Sequence, residues 1–190
     1  MADDYLYDVF ISYKRHNLTI CWVDGVIERL AFWLTQELGG QEAKLFFDKE
    51  SIEVGDPWPA KIQEGLRTSR CMVGIWSPQY FQSRWCVSEW RSFLERGQRL
   101  GKNLIAPVRF HDGESYPQEA KDIQQIDVTP YTSTLDGFWK TDRAVELEDK
   151  LKELAKALAK IVSSATPFEQ DWPIVNAEGN PPPKAPLVRL

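Results

Sequence analysis

Five times along this chain a short apolar, β-branched or aromatic run gives way to a stretch with helical spacing, with a dozen or more residues between successive runs. That alternation limits the fold more than any single motif. Residues 7–13 (YDVFISY) are short enough for a strand buried on both faces, and they end in the polar loop KRHN. Val23, Ile27, Leu30, Leu34 and Leu38 follow helical spacing until Gly39 and Gly40 stop the helix. A second strand is expected over 43–48. A charged loop, KESIEVGDPWP, follows it, and Pro59 then suits the first turn of a helix with Ile62 and Leu66 on its apolar face. A third strand spans 71–76, broken by Ser77 and Pro78. The next helix runs over 85–100, with Gly97 and Gly101 near its end. A fourth strand is expected over 103–110, although Pro107 is awkward for a central position. A short helical piece over 118–125 precedes a weak last strand at 126–128. Leu147, Leu151, Leu154, Leu158 and Ile161 then mark a long amphipathic helix.

Strands this far apart cannot be joined as hairpins. They require crossovers, hence an α/β fold with a parallel sheet covered on both faces. Ligands of such sheets bind at the C-terminal edge of the strands. KRHN, the KESIEVGDPW loop and the SPQYFQSRWC segment must all lie at that edge. After residue 164 the chain turns to PFEQDWP and NPPPKAP, without periodicity. Residues 1–164 are therefore expected to form the domain. Residues 165–190 are expected to form a proline-rich tail, packed on the domain through Phe168 and Trp172.

Composition narrows the class. With 43% hydrophobic and 27% charged residues, the chain has the balance of a water-soluble globular protein. Its apolar runs are too short to span a bilayer, and a secretory leader is not evident, so a cytoplasmic location is expected. Cys21, Cys71 and Cys86 are odd in number and widely spaced, which suits reduced thiols rather than disulfides or zinc. The net charge of −5 offers nucleic acid no attraction. GxGxxG, GxxxxGK[ST], HExxH and GxSxG are all missing, and His16 and His111 are the only histidines. A metal or bound cofactor is not expected.

What remains is SRWCVSEWR, residues 83–91. Trp85 and Glu89 are four apart and share a helix face, so the acid sits beside an indole near the ligand edge. The bland reading is a solvated glutamate next to a core tryptophan, with Cys86 and Trp90 as packing residues. On spacing alone the bland reading has the better odds.

Four blocks in order change that balance. YDVFISYKR, LFFDKESIEVGDPW, SRWCVSEW and GKNLIAPV together resemble a Toll/interleukin-1 receptor (TIR) domain, over about residues 7–131. The resemblance implies a flavodoxin-like α/β fold, a five-stranded parallel sheet of order 2-1-3-4-5. KESIEVGDPW resembles the family's BB loop, with Asp48, Glu53, Gly55 and Asp56 in it and Asp48 as its organiser. The Trp-x-x-x-Glu spacing resembles the NAD-cleaving TIR domains of bacteria, which implies Glu89 as the catalytic acid. Trp85 would then shape the pocket, Tyr13 or Phe47 stack on a ring, and Lys14 and Arg15 face a phosphate. Trp58 is either a lid aromatic or the start of its helix. The implied activity is an NAD+ nucleosidase, NAD+ being substrate rather than cofactor. It would release nicotinamide and linear or cyclic ADP-ribose in bacterial antiphage defence or virulence.

The resemblance further implies a homo-oligomer or assembly through the BB-like loop, and an effector or regulator protein. Two departures stand out: the long segment between the first strand and Gly39, and the proline-rich tail. Two other readings compete. One is a non-enzymatic adaptor that acts through the BB-like loop. The other is a nucleoside-processing transferase, which would act on free nucleosides and not on NAD+.

Overall fold

A computed structural model of the protein describes residues 5–47 and 60–175. Five parallel strands form one sheet: β1 (Tyr7–Tyr13), β2 (Leu45–Phe46), β3 (Ser69–Trp76), β4 (Ile105–Arg109) and β5 (Ile126–Asp127). Their order is β2-β1-β3-β4-β5, the flavodoxin-like arrangement expected from the sequence. The helices are α1 (Ile20–Glu37), α2 (Ala60–Thr68), α3 (Pro78–Gln82), α4 (Arg84–Leu100), α5 (Gln118–Lys121) and α6 (Asp142–Ser163). Two short 3-10 turns, Thr129–Tyr131 and Asp136–Lys140, lead into α6.

Side chains alternate across a strand, so β1 and β3 feed two separate cores. Val9, Ile11, Cys71, Val73 and Ile75 face α1 and α6. Phe10, Met72 and Trp76 face α2, α3 and α4, where Tyr80, Phe81, Trp90 and Phe93 fill the layer. Trp76 and Trp90 meet edge to face with ring centroids 6.1 Å apart. A strand that is apolar on both faces is what a doubly covered parallel sheet requires. β2 is shorter than the sequence suggests, because only Leu45 and Phe46 find partners on β1.

Pro107 has a simple resolution. Met72 N–H donates to the Leu104 carbonyl, and Phe110 N–H donates to the Trp76 carbonyl, so the even-numbered residues of this segment bond toward β3. Pro107 therefore turns its missing N–H the other way. On that side β5 begins to pair only at Val108. The proline sits where the ladder asks for no donor.

Candidate functional site

Between β1 and β3 the strand order reverses, and connections leave the sheet edge in opposite directions there. Ser12 is the penultimate residue of β1, and alternation turns it toward the α4 face. α4 starts beside that edge. Ser83 caps it by accepting from Cys86 N–H, so the helix begins at Arg84 and carries Glu89 one turn in. Glu89 is only 8% exposed. The Ser12 hydroxyl donates to Glu89 Oε2 at 2.6 Å.

Tyr80 Oη lies 2.7 Å from the same Ser12 oxygen. Ser12 has one proton, and Glu89 takes it, so Tyr80 must be the donor to Ser12. The result is a directed chain, Tyr80 to Ser12 to Glu89. Burial pushes the Tyr80 phenol well up, and the charges of Cys86 and Glu89 add to that, so the ring stays a proton donor. Burial also pushes the Cys86 thiol up to about 12, with Glu89 contributing. Cys86 is thus a neutral packing group rather than a nucleophile.

The other residues expected at the site fall in three places. Trp85 is half-buried one turn before Glu89, with the Arg84 guanidinium 4.9 Å over its ring. Lys14 and Arg15 are exposed in the loop after β1, and the Lys14 charge is felt at Cys86, next to Glu89 along α4. Tyr13 and Phe47 pack on each other with centroids 5.1 Å apart, against the α1-side core. Tyr13 points away from Ser12 because neighbours on a strand face opposite sides. Asp48, Glu53, Gly55, Asp56 and Trp58 lie outside the described residues.

On Tyr13's side of β1, a cavity of about 390 Å³ opens at the same edge, with Tyr13, Val23, Ile75 and Phe110 among its walls. Lys14, His16 and His111 add polar groups to its lining. The edge therefore offers two environments on either side of β1: a buried acid held by hydroxyls, and an apolar cavity lined in part by basic side chains. Among the described residues no cluster of three or more His, Cys, Asp or Glu could hold a metal ion. Ser12 and Tyr80 were not singled out from sequence. The available signal was a serine between Ile11 and Tyr13, at the C-terminal end of a strand whose middle is apolar on both faces.

A five-stranded 2-1-3-4-5 sheet with a buried acid at its switch point defines a doubly wound α/β domain. The family model described as the TIR domain matches residues 9–140, and the chain belongs to that family. It is 23% identical over 61% of its length to TMV resistance protein N of Nicotiana glutinosa. It is 26% identical over 58% of its length to disease resistance protein RPV1 of Vitis rotundifolia. The matches span only 9% and 7% of those proteins. The TIR domain of the Toll-related receptor TRR-2 of Hydra magnipapillata is similar at 18% identity and a TM-score of 0.44, over 77% of this chain and 98% of that one.

Proposed function

We propose that this TIR domain is an NAD+ nucleosidase with Glu89 as its catalytic carboxylate, cleaving the bond between nicotinamide and ribose. The observation that carries the reading is the placement of Glu89: buried at the ligand edge and held by Ser12 at 2.6 Å. A buried glutamate with no chemical task would be costly to keep at such an edge.

The chemistry suits one carboxylate. Nicotinamide leaves a cationic pyridinium as a neutral base, so no general acid has to protonate it, unlike the leaving group of an ordinary glycoside. Glu89 holds the ribose hydroxyls and faces the positive charge that develops at the ribose carbon. Tyr80 and Ser12 fix the carboxylate so that no reorganisation is needed during the reaction. Lys14 supplies positive charge for the diphosphate, with Arg15 beside it in the loop, and Trp85 bounds the acid's side of the pocket. Water adding at that ribose carbon with loss of a proton gives linear ADP-ribose, and addition of an adenine nitrogen of the same molecule gives the cyclic product. We place the activity in bacterial defence or virulence signalling, with assembly through the BB-like loop bringing subunits together.

The test is nicotinamide release from NAD+ by the purified chain, beside Glu89→Gln and with crowding agent to promote assembly. Wild type should turn over, and the glutamine variant should lose at least about 100-fold, the scale of removing one electrostatic stabiliser. If both are inert in every condition, the domain is an adaptor. Cleavage of free nucleosides but not NAD+ would instead indicate a nucleoside-processing transferase.

A further inference from the structure

Trp76 ends β3 close to the acid and carries a donor that closes no hydrogen bond in the structure. The residue is 0% exposed, and its indole Nε1–H is buried with it. Buried donors without a partner are rare, and each asks for a reason. The ring cannot swing away to find one elsewhere. Phe81, Trp90 and Tyr116 pack on it edge to face, with centroids 5.3, 6.1 and 6.2 Å away. The Tyr116 phenol also donates to the Trp76 carbonyl at 2.6 Å, which ties down the end of the strand.

Register decides where the N–H lies. Ser12 of β1 pairs with Gly74 of β3, and strand alternation turns both toward α4. A Cβ at Gly74 would collide with Trp76 Nε1, so the indole folds back over the glycine and brings its N–H beside Ser12. Tyr80 Oη is 2.7 Å from Ser12 Oγ, and the Tyr80 and Trp76 rings are 6.5 Å apart. Burial raises the Tyr80 phenol most, and the Trp76 indole acts on its oxygen in the opposite sense. Glu89, which can only accept, fixes the direction of the hydroxyl chain from one end. An indole N–H can only donate, so it suits the other end. A phenol oxygen that accepts from Trp76 keeps its own proton on Ser12.

We propose that Trp76 is a positioning residue for Glu89, its indole N–H donating to Tyr80 Oη and heading the chain Trp76, Tyr80, Ser12, Glu89. The bond closes by a tilt of the indole over Gly74, where no side chain stands in the way. Only the kinetic consequence rests on the nucleosidase reading. Nitrogen-15 spectra of the indole groups test the bond in the full chain, Trp76 being assigned by the loss of its signal in Trp76→Phe. Its proton should lie downfield of that of Trp90, whose buried indole N–H in the same core also lacks a partner. Tyr80→Phe, which removes only the phenol oxygen, should bring the Trp76 signal upfield to the Trp90 range. The carbon-13 carboxylate signal of Glu89, assigned by Glu89→Gln, should move in Trp76→Phe as it does in Tyr80→Phe. In the nicotinamide assay Trp76→Phe should lower kcat about tenfold, the loss of one hydrogen bond, and leave KM unchanged. A Trp76 signal that ignores Tyr80→Phe overturns the role, as does a Glu89 carboxylate that ignores Trp76→Phe, or full kcat in that variant. If Trp76→Phe does not fold, the Tyr80→Phe spectrum decides alone. If wild type is inert while both spectra respond, the positioning of Glu89 stands and the nucleosidase reading falls.

Discussion

At the scale of single residues, Ser12 decides how the acid is presented. Its hydroxyl accepts from Tyr80 and donates to Glu89, so its proton and one of its two lone pairs are committed. Ser12→Ala removes the middle of the chain and takes one hydrogen bond from each of two buried polar groups, at a cost of about 1–3 kcal/mol in stability. Under the proposed chemistry it should lower kcat for nicotinamide release more than it raises KM, because substrate contacts survive while the acid loses its anchor. Equal kcat for wild type and variant would remove Ser12 from any positioning role. Glu89 was legible in the sequence only as an acid near indoles. Its true neighbours, Ser12 and Tyr80, are 77 and 9 residues away along the chain, and no spacing rule links them.

At the scale of elements, α4 carries two buried charged side chains, Glu89 near its start and Arg96 near its end. Its exit depends on two glycines with different reasons. Gly101 adopts φ 62°, the left-handed turn that ends the helix. Gly97 keeps a helical backbone, but a Cβ there would lie 2.6 Å from the Lys102 carbonyl oxygen. Gly97→Ala should therefore destabilise, against the gain of roughly 1 kcal/mol that alanine brings to a helix. The clash is with backbone, and overpacking of that kind costs about 1–3 kcal/mol. A Tm lower by a few degrees is the expected reading in calorimetry, and an unchanged or raised Tm would refute the close approach. Helix periodicity made α1 and α4 readable to within a residue at each end, and it marked the apolar face of α6 from Leu147 to Ile161. β2 was expected over 43–48 but pairs only at Leu45 and Phe46, and α3 escaped notice because a five-residue helix has too few turns for a period.

At the scale of the whole molecule, the segment after α6 runs back along α4. Phe168 meets Tyr5 edge to face at 5.3 Å, Trp172 is 3% exposed, and Val175 N–H donates to Ser92 Oγ at 2.9 Å. Among the described residues no helix is long and apolar enough to cross a membrane. Global stability should fall in alkali. Cys71 and Cys86 are pushed by burial to about 12, from an ordinary 9.0, so the native state keeps protons that the unfolded chain releases. Their contribution is complete below about pH 9 and disappears as pH rises toward about 12, with Tyr80 joining above about 10. The slope is up to about 1 kcal/mol per pH unit for each thiol. Urea midpoints near pH 8 and near pH 10.5 check this, and equal midpoints would contradict the burial of the thiols.

The sequence by itself determined the class of fold. Period and strand separation are local properties, and a dozen residues between apolar runs already forces a parallel, doubly covered sheet. Tertiary structure decided which side chains meet. Strand alternation sent Ser12 to the α4 face and Tyr13 to the α1 face, so two adjacent residues serve different environments. The return of the chain after α6 brought Trp172 onto Arg96, across 76 residues of sequence. Contacts of that length depend on the closure of the whole fold, and no window of sequence contains them.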